Sequence, residues 1–141
     1  MFLIRDALPD DAGDLANLIS ELGYQVETQE LWSRIEKMPP GFYRTLVAIE
    51  ENKVVGFIGL LTLPVYEHSR PIGWVLALCV SASRRGKGIG KALIDSAKNH
   101  YSDEGVTDMR LHSGLQRNEA HGFYEKMGFD KSGYRFKKKL A

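Results

Sequence analysis

Three glycines alternate with Lys87 and Ile89 in residues 85–91, directly after an apolar run that ends at Val80. A segment with helical periodicity follows at once. A strand, a glycine-rich basic turn and a helix together present free backbone N–H groups to phosphate, because glycine permits close approach and the helix N-terminus adds unpaired donors. This order predicts a ligand that carries a pyrophosphate.

Two common phosphate-binding loops can be tested against the glycine spacing. A P-loop has the form G-x-x-x-x-G-K-[ST], but only three residues separate Gly86 from Gly90, and Ala92 stands where a hydroxyl would hold magnesium. A dinucleotide fingerprint has the form G-x-G-x-x-G, but here Gly88 lies midway between the other two glycines, and no first βαβ unit surrounds the turn. Both interpretations fail.

Two segments resemble motifs of a known family. Residues 85–90, RGKGIG, match R-x-x-G-x-G, and residues 118–129, NEAHGFYEKMGF, are similar to a segment written N-x-x-A-x-x-F-Y-x-x-x-G-F. Both resemble motifs of the GCN5-related N-acetyltransferase (GNAT) superfamily, and residues 4–19, IRDALPDDAGDLANLI, are similar to its first strand and helix. The resemblance covers essentially the whole chain.

Hydrophobic periodicity predicts six strands and four helices. We expect a first helix that Pro9 opens and Asp10 or Asp11 caps, and a second that begins at a Thr28 cap and runs to residue 38. The strands are expected over residues 2–6, 45–49, 54–63, 72–80, 107–113 and 133–140, and the later helices over 88–101 and 119–127. The order β-α-α-β-β-β-α-β-α-β predicts a single α/β domain over residues 1–141, and the resemblance implies a GNAT-like fold with a mixed, mostly antiparallel sheet flanked by helices.

The composition is that of an ordinary globular domain without a broadly charged face. The 141 residues carry a net charge of +1 at pH 7, which argues against a nucleic-acid partner or an anionic membrane surface. No apolar run is long enough to span a bilayer, and the first residues lack the pattern of a signal peptide, so we expect a cytoplasmic protein. The single cysteine, Cys79, has no partner for an internal disulfide.

The resemblance implies that acetyl-CoA binds as a co-substrate and that no metal takes part. Backbone N–H groups of the turn would hold the pyrophosphate, and the main chain of the preceding strand would pair with the pantetheine arm. A backbone N–H near Leu78 would donate to the thioester carbonyl, and Asn118 would bond the cofactor arm, cap its helix, or do both. The expected cofactor-binding residues are Leu78, Cys79, Val80, Arg85, Gly86, Lys87, Gly88, Ile89, Gly90, Lys91 and Asn118.

Tyr124 is the residue for which the resemblance implies a chemical step. A phenol with a pKa near ~10 is protonated at neutral pH and can donate a proton to a departing thiolate. The alternative is packing, because Tyr124 lies beside Phe123 and near Phe129, and aromatic side chains at helical spacing commonly form core. We expect the chemical role for Tyr124 and the packing role for Phe123.

The group that deprotonates the attacking amine is not indicated by the central strand. Many family members place a glutamate there or on a neighbouring strand, whereas residues 73–78, GWVLAL, contain no carboxylate. Glu67, His68, His112 and His121 are candidates, each with an ordinary surface or hydrogen-bonding role as the alternative, and a relay of water molecules is equally open. Six aromatic residues could line an acceptor pocket, although we expect most of them in the core: Tyr24, Trp32, Phe42, Tyr43, Tyr66 and Trp74.

The leading functional prediction is an N-acetyltransferase that moves the acetyl group of acetyl-CoA to a primary amine of a small molecule or a peptide by direct attack in a ternary complex. The alternative is a non-catalytic acyl-CoA-binding or sensing module on the same fold, which the absence of a carboxylate on the central strand favours and the presence of Tyr124 opposes. Family members often pair, so the resemblance also leaves a homodimer open. The fold hosts many acceptors and names none of them.

Overall fold

The computed structural model describes all 141 residues. In chain order its elements are β1 (Leu3–Asp6), α1 (Ala12–Glu21), α2 (Thr28–Glu36), β2 (Tyr43–Glu50), β3 (Lys53–Leu63), β4 (Ile72–Val80), α3 (Ile89–Asp103), β5 (Met109–Leu111) and α4 (Asn118–Lys126). Short 3₁₀ turns at Pro9–Asp11 and Ala82–Arg84 precede α1 and α3. The predicted order of elements is confirmed as far as α4.

The five strands form one sheet in the order β1-β2-β3-β4-β5. The first four are antiparallel neighbours, and the β2–β3 hairpin turns through Glu51 and Asn52, whose φ angles of 52° and 61° suit a tight hairpin. The start of β5 lies beside the start of β4, because the Gly73 N–H donates to the Asp108 carbonyl at 3.0 Å. With α3 as the crossover, β4 and β5 are parallel, and the sheet is therefore mixed.

Helices pack on both faces of the sheet, because neighbouring residues of a strand point to opposite faces. Phe57 of β3 belongs to the buried cluster that contains Leu18 of α1. The adjacent Gly56 faces α3, and a Cβ added there would lie 3.2 Å from Ile89 and 3.3 Å from Leu93. The missing side chain at position 56 thus lets the first turn of α3 approach the sheet closely and fixes the start of that helix.

The first two helices begin differently from the prediction. The Asp11 carboxylate accepts hydrogen bonds from the Leu8 N–H at 2.7 Å and from the Arg5 guanidinium at 2.7 and 3.0 Å. It therefore closes the 3₁₀ turn before α1 rather than capping α1 itself, and the Arg5 hydrogen bond lowers the pKa of Asp11. Glu27, in place of Thr28, caps α2 through its side chain.

The strand predicted over residues 133–140 is wrong, since no helix or strand follows α4, and β5 is shorter than the predicted 107–113. The alternation of Tyr134, Phe136 and Leu140 with basic residues is typical of a half-buried strand, but these side chains are 89%, 92% and 90% exposed. An alternating pattern yields a stable strand only where a neighbour supplies hydrogen bonds and an apolar surface. This segment is paired with no strand of the sheet.

The chain divides into two compact units, Met1–Arg110 and Leu111–Ala141. Every buried residue lies in the first unit, whereas the residues of the second are half-buried or exposed. No helix combines the length and apolar character that a membrane span requires. The basic turn after β4 thus stands on a packed core, and α4 belongs to a unit without one.

Candidate active site

The basic turn between β4 and α3 has the backbone conformation that its glycines allow. Gly86 and Gly88 adopt positive φ angles of 79° and 84°, a region that other residues adopt at a cost of about 1–2 kcal/mol. A Cβ added to either glycine would meet no atom within 4 Å, so the backbone angle and not crowding requires glycine. Both residues are exposed, and a ligand can reach the main chain there.

The first turn of α3 carries backbone donors that have no partner inside the helix. Gly88 occupies the N-cap position and supplies no side-chain cap. The first helical hydrogen bond runs from the Ala92 N–H to the Gly88 carbonyl at 3.0 Å, so the N–H groups of Ile89, Gly90 and Lys91 precede it. These donors lie at the positive end of the helix dipole, which favours an anion. Ile89, only 1% exposed, anchors this turn to the core.

Some of the basic side chains around the turn already form ion pairs within the protein, and others do not. Arg84 and Lys91 are held in ion pairs at 2.7 and 2.8 Å with carboxylates of the same unit. Arg85 and Lys87 are exposed and form no ion pair, and the Arg85 Nε donates to the Val80 carbonyl at 3.4 Å. Arg85 and Lys87 are therefore the cations best suited to a bound phosphate.

β4 offers its main chain rather than its side chains. Cys79 is 4% exposed and its thiol donates to the Leu18 carbonyl at 3.4 Å, so the lone cysteine is a core residue. Leu78 and Val80 are half-buried. β4 also continues for several residues beyond the three-residue β5 that lies beside its start. The second half of β4 is therefore where an extended ligand could add hydrogen bonds along the strand.

A β-bulge interrupts β4 immediately before that half. Gly59 pairs with Ala77 and Leu60 with Val75, so Leu76 has no partner on β3. The Leu76 side chain is 53% exposed although it lies in an interior strand of the sheet. Bulges bend a strand and re-aim its backbone groups. The uninterrupted apolar run of residues 72–80 gives no sign of this bulge.

Tyr124 lies on α4, within an aromatic cluster of the second unit. Its ring meets Phe123 at a centroid distance of 5.6 Å and Phe129 at 5.9 Å, both in edge-to-face arrangements. Burial raises the pKa of the Tyr124 phenol above its ordinary value of 10, and the charge of Arg117 partly opposes this effect. The phenol is therefore protonated at neutral pH and is able to donate a proton.

The spacing of the segment around α4 departs from the family pattern by one residue. The pattern places its asparagine seven positions before the tyrosine, which is Arg117 here, whereas Asn118 lies six positions before Tyr124. Arg117 occupies the N-cap position of α4, and Asn118 is the exposed first residue of the helix. A capping role for Asn118 is therefore wrong. Arg117, whose charge acts on Tyr124, is the residue that the sequence analysis passed over.

The candidate bases occupy ordinary positions. Glu67 and His68 are exposed in the connection between β3 and β4, and His112 is exposed as well. The His121 Nε2 lies 2.8 Å from the Gly114 carbonyl, and because a carbonyl only accepts, this nitrogen carries a proton. His121 thus has the hydrogen-bonding role considered as its alternative. The base among Glu67, His68, His112 and water stays a prediction.

The six aromatic residues considered for an acceptor pocket are not core residues, contrary to expectation. The exposed residues are Tyr24, Phe42 and Tyr66. The half-buried residues are Trp32, Tyr43 and Trp74. The guanidinium carbon of Arg110 lies 6.0 Å from the centre of the Trp74 ring, at the limit of a cation–π contact. Aromatic surface is therefore available in the first unit for ligand contact.

The sequence matches a known family over most of its length. Residues 12–129 match the Acetyltransferase (GNAT) family. The chain belongs to this family. It is 33% identical over 122 residues to the uncharacterised N-acetyltransferase YhdJ of Bacillus subtilis, with 86% of each chain covered. It is 29% identical over 142 residues to the aminoalkylphosphonate N-acetyltransferase of Salmonella typhimurium, with 97% of this chain and 90% of the relative covered.

Solved structures share the fold of this GNAT protein. A transcriptional regulator from Bacillus halodurans has a TM-score of 0.89 at 19% identity, with 99% of this chain and 100% of that chain covered. An acetyltransferase from Trypanosoma brucei has a TM-score of 0.85 at 23% identity, with the same coverage. The predicted GNAT-like α/β fold is confirmed, and the protein is an N-acetyltransferase by its family and relatives.

Proposed function

We propose that this GNAT enzyme transfers the acetyl group of acetyl-CoA to a primary amine of a small molecule or a peptide, by direct attack in a complex that holds both substrates. The observation that carries the proposal is the uncapped N-terminus of α3, where three backbone donors follow a basic turn with two left-handed glycines. Family membership supplies the reaction class.

The residues of the basic turn fit a pyrophosphate. The N–H groups of Ile89, Gly90 and Lys91 would donate to the phosphate oxygens, and the unpaired charges of Arg85 and Lys87 would neutralise them. Gly86 and Gly88 would keep the main chain clear for this approach. Affinity for the co-substrate thus resides mainly in the backbone of the first unit.

The second half of β4 would hold the pantetheine arm. Its amide groups would pair with the main chain of Leu78, Cys79 and Val80, as a strand pairs with a sheet edge. The bulge at Leu76 re-aims the backbone just before this stretch. A backbone N–H near Leu78 would then donate to the thioester carbonyl oxygen and stabilise the negative charge that develops there.

Two protons move during the reaction, one from Tyr124 to the departing sulfur and one from the amine to a base or to water. The amine nitrogen forms a bond to the acetyl carbon, and the carbon–sulfur bond breaks with its electron pair on sulfur. Tyr124 donates its phenolic proton to that sulfur. Because the pKa of the phenol is raised, this proton is still present on Tyr124 at neutral pH. The proton lost by the amine passes to Glu67, His68 or His112, or to solvent through water, since β4 has no carboxylate.

A primary amine is the feature shared by acceptors that fit the proposal. The Salmonella relative is named for aminoalkylphosphonates, which carry such an amine, so these compounds stand first in an acceptor panel. Polyamines, amino acids, aminoglycosides and peptides complete it. Thiol release from acetyl-CoA measures turnover, and calorimetry measures CoA binding.

We expect CoA to bind and at least one amine to stimulate thiol release well above the hydrolysis seen without an acceptor. CoA binding without turnover on any member of the panel would contradict amine acetylation and favour the acyl-CoA-binding module. Absence of CoA binding would contradict the assignment of the turn itself.

A further inference from the structure

The phenol of Tyr101, near the end of α3, lies between two strands of the sheet. Tyr101 is 2% exposed. Its hydroxyl oxygen accepts a hydrogen bond from the Leu61 N–H of β3 at 3.2 Å and donates to the Trp74 carbonyl of β4 at 2.6 Å. Burial raises the pKa of Tyr101 to about 12, so the donated proton is retained at any physiological pH. One side chain thus bridges the backbones of adjacent strands.

The ring of Tyr101 is seated by a glycine of β4. A Cβ added to Gly73 would lie 2.7 Å from two ring atoms, closer than side chains tolerate. The Val106 N–H also donates to the Tyr101 carbonyl at 2.8 Å, which holds the end of α3 in place. The position of the hydroxyl is therefore determined by packing on the ring and by the anchored backbone, and not by the two hydrogen bonds alone.

The bridged pair stands next to the bulge. Leu61 pairs with Trp74, Leu60 pairs with Val75, and Leu76 follows without a partner. A bulge locally disrupts the hydrogen-bond ladder, and unpaired backbone groups in a buried sheet are costly. A hydroxyl has one donor and two acceptor positions, so it can satisfy one N–H and one carbonyl at the same time. The phenol therefore supplies hydrogen bonds to a strand pair that lies two residues before the bulged Leu76.

We infer that Tyr101 is a positioning residue for acetyl transfer: by bridging Leu61 and Trp74 it holds the β4 bulge open and aims the following backbone N–H groups at the thioester. This inference rests on the proposed function, in which an N–H near Leu78 donates to the thioester carbonyl. Ile89 in the phosphate-binding turn and Tyr101 are twelve residues apart on one helix, a rise of about 18 Å. α3 therefore connects the turn at its N-terminus to the bridged strand pair near its C-terminus.

The substitution Tyr101→Phe removes the hydroxyl and keeps the ring on Gly73. Tyr134→Phe is the matched control, because it removes the same group from an exposed side chain. We expect Tyr101→Phe to lower kcat by about 10- to 100-fold, as a misaligned oxyanion donor does. The KM for acetyl-CoA and the Kd for CoA should stay within about twofold of wild type, because residues 85–91 bind the phosphates separately. The control should change neither.

A purely structural role is separated by counting folded molecules. Rates are expressed per CoA-binding site from calorimetric stoichiometry, at a temperature below the unfolding transitions of both proteins. A kcat per site within about twofold of wild type overturns the inference, and so does an equal loss of kcat and CoA affinity.

Amide measurements test the geometry without depending on turnover. In wild type, hydrogen exchange at Leu61 should be slow, because its N–H is bonded to a buried phenol. Exchange as fast as that of Lys138 in the exposed tail overturns the bridge, and this arm applies even if Tyr101→Phe does not fold. In the folded variant, the nitrogen-15 amide shifts of residues 74–78 should move, and unchanged shifts overturn the positioning role. If wild type releases no thiol with any amine, the proposed function has failed, and these shifts still decide whether Tyr101 holds the bulge.

Discussion

The turn after β4 and the helix α4 carry predicted site residues of two different kinds. The turn belongs to the first unit and stands on residues such as Ile89 and Leu93, which are 1% and 0% exposed, and what it offers is mainly backbone. α4 belongs to the second unit, which has no buried residue, and what it offers is one phenol on Tyr124. Binding built from main chain depends on conformation, whereas proton donation depends on a single side chain. The two functions should therefore respond to different mutations.

The largest expected effect concerns the packing that supports the turn. Leu93→Ala removes a fully buried side chain beneath the first turn of α3, and the resulting cavity should lower the free energy of unfolding by about 3 kcal/mol. Met127→Ala, at a half-buried position of the second unit, should cost less than about 1 kcal/mol. Urea denaturation of both variants measures the difference. If both substitutions lowered the free energy of unfolding equally, the two units would not differ in packing.

Tyr124→Phe tests the side-chain half of the comparison. We expect kcat to fall by about 100-fold or more, because the departing sulfur loses its proton donor, while the Kd for CoA stays unchanged. The raised pKa of Tyr124 also means that wild-type kcat should not fall from loss of this acid between pH 7 and about 9.5. Steady-state rates over this range and CoA calorimetry are the measurements, with Phe123→Leu as the control. Equal kcat in Tyr124→Phe and wild type, measured where the chemical step limits turnover, would contradict the role of Tyr124 as proton donor.

Gly88→Ala tests the backbone half. The residue has a φ of 84°, and an alanine there should distort the turn and weaken CoA binding by about tenfold, an effect of the size of left-handed strain. At saturating acetyl-CoA the kcat should change little. Gly133→Ala is the control, since that glycine has neither a positive φ nor a close neighbour. Unchanged CoA affinity in Gly88→Ala would show that the turn conformation does not bind the phosphates.

Lys87→Gln has the smallest expected effect. The side chain is exposed and unpaired, so its loss should weaken CoA binding by about threefold at low salt and less at high salt, because exposed charges are screened. Calorimetry at two ionic strengths measures this, and Lys138→Gln in the tail serves as the control. A loss of CoA affinity larger than that of Gly88→Ala would show that this side-chain charge contributes more to binding than the conformation of the main chain.

Local patterns predicted β4 and the turn after it well. The apolar run of residues 72–80 forms β4 with the predicted bounds, and α3 begins one residue after its predicted start. The left-handed angles of Gly86 and Gly88 follow from glycine being the residue that adopts them without cost. These features depend on a few consecutive residues, which is why the sequence shows them.

Features that join distant residues were missed. The bulge at Leu76 requires knowledge of the register between β3 and β4, and the bridge made by Tyr101 joins residues 40 and 27 positions away. The helical periodicity after the turn predicted α3, but nothing in that periodicity showed where the hydroxyl of Tyr101 would lie. The prediction of a strand over residues 133–140 was wrong for a different reason. The local pattern is that of a strand, but no neighbouring strand pairs with it.

The sequence by itself determined the glycine-rich turn after β4, the order of the elements as far as α4, and the family, because glycine angles, hydrophobic periods and two short motifs are local properties. The tertiary structure decided how the strand before the turn is bent, which aromatic residues are exposed, and which side chains replace ladder hydrogen bonds. Those outcomes depend on register and close packing between segments far apart in the chain, and no local pattern encodes the distance between two strands.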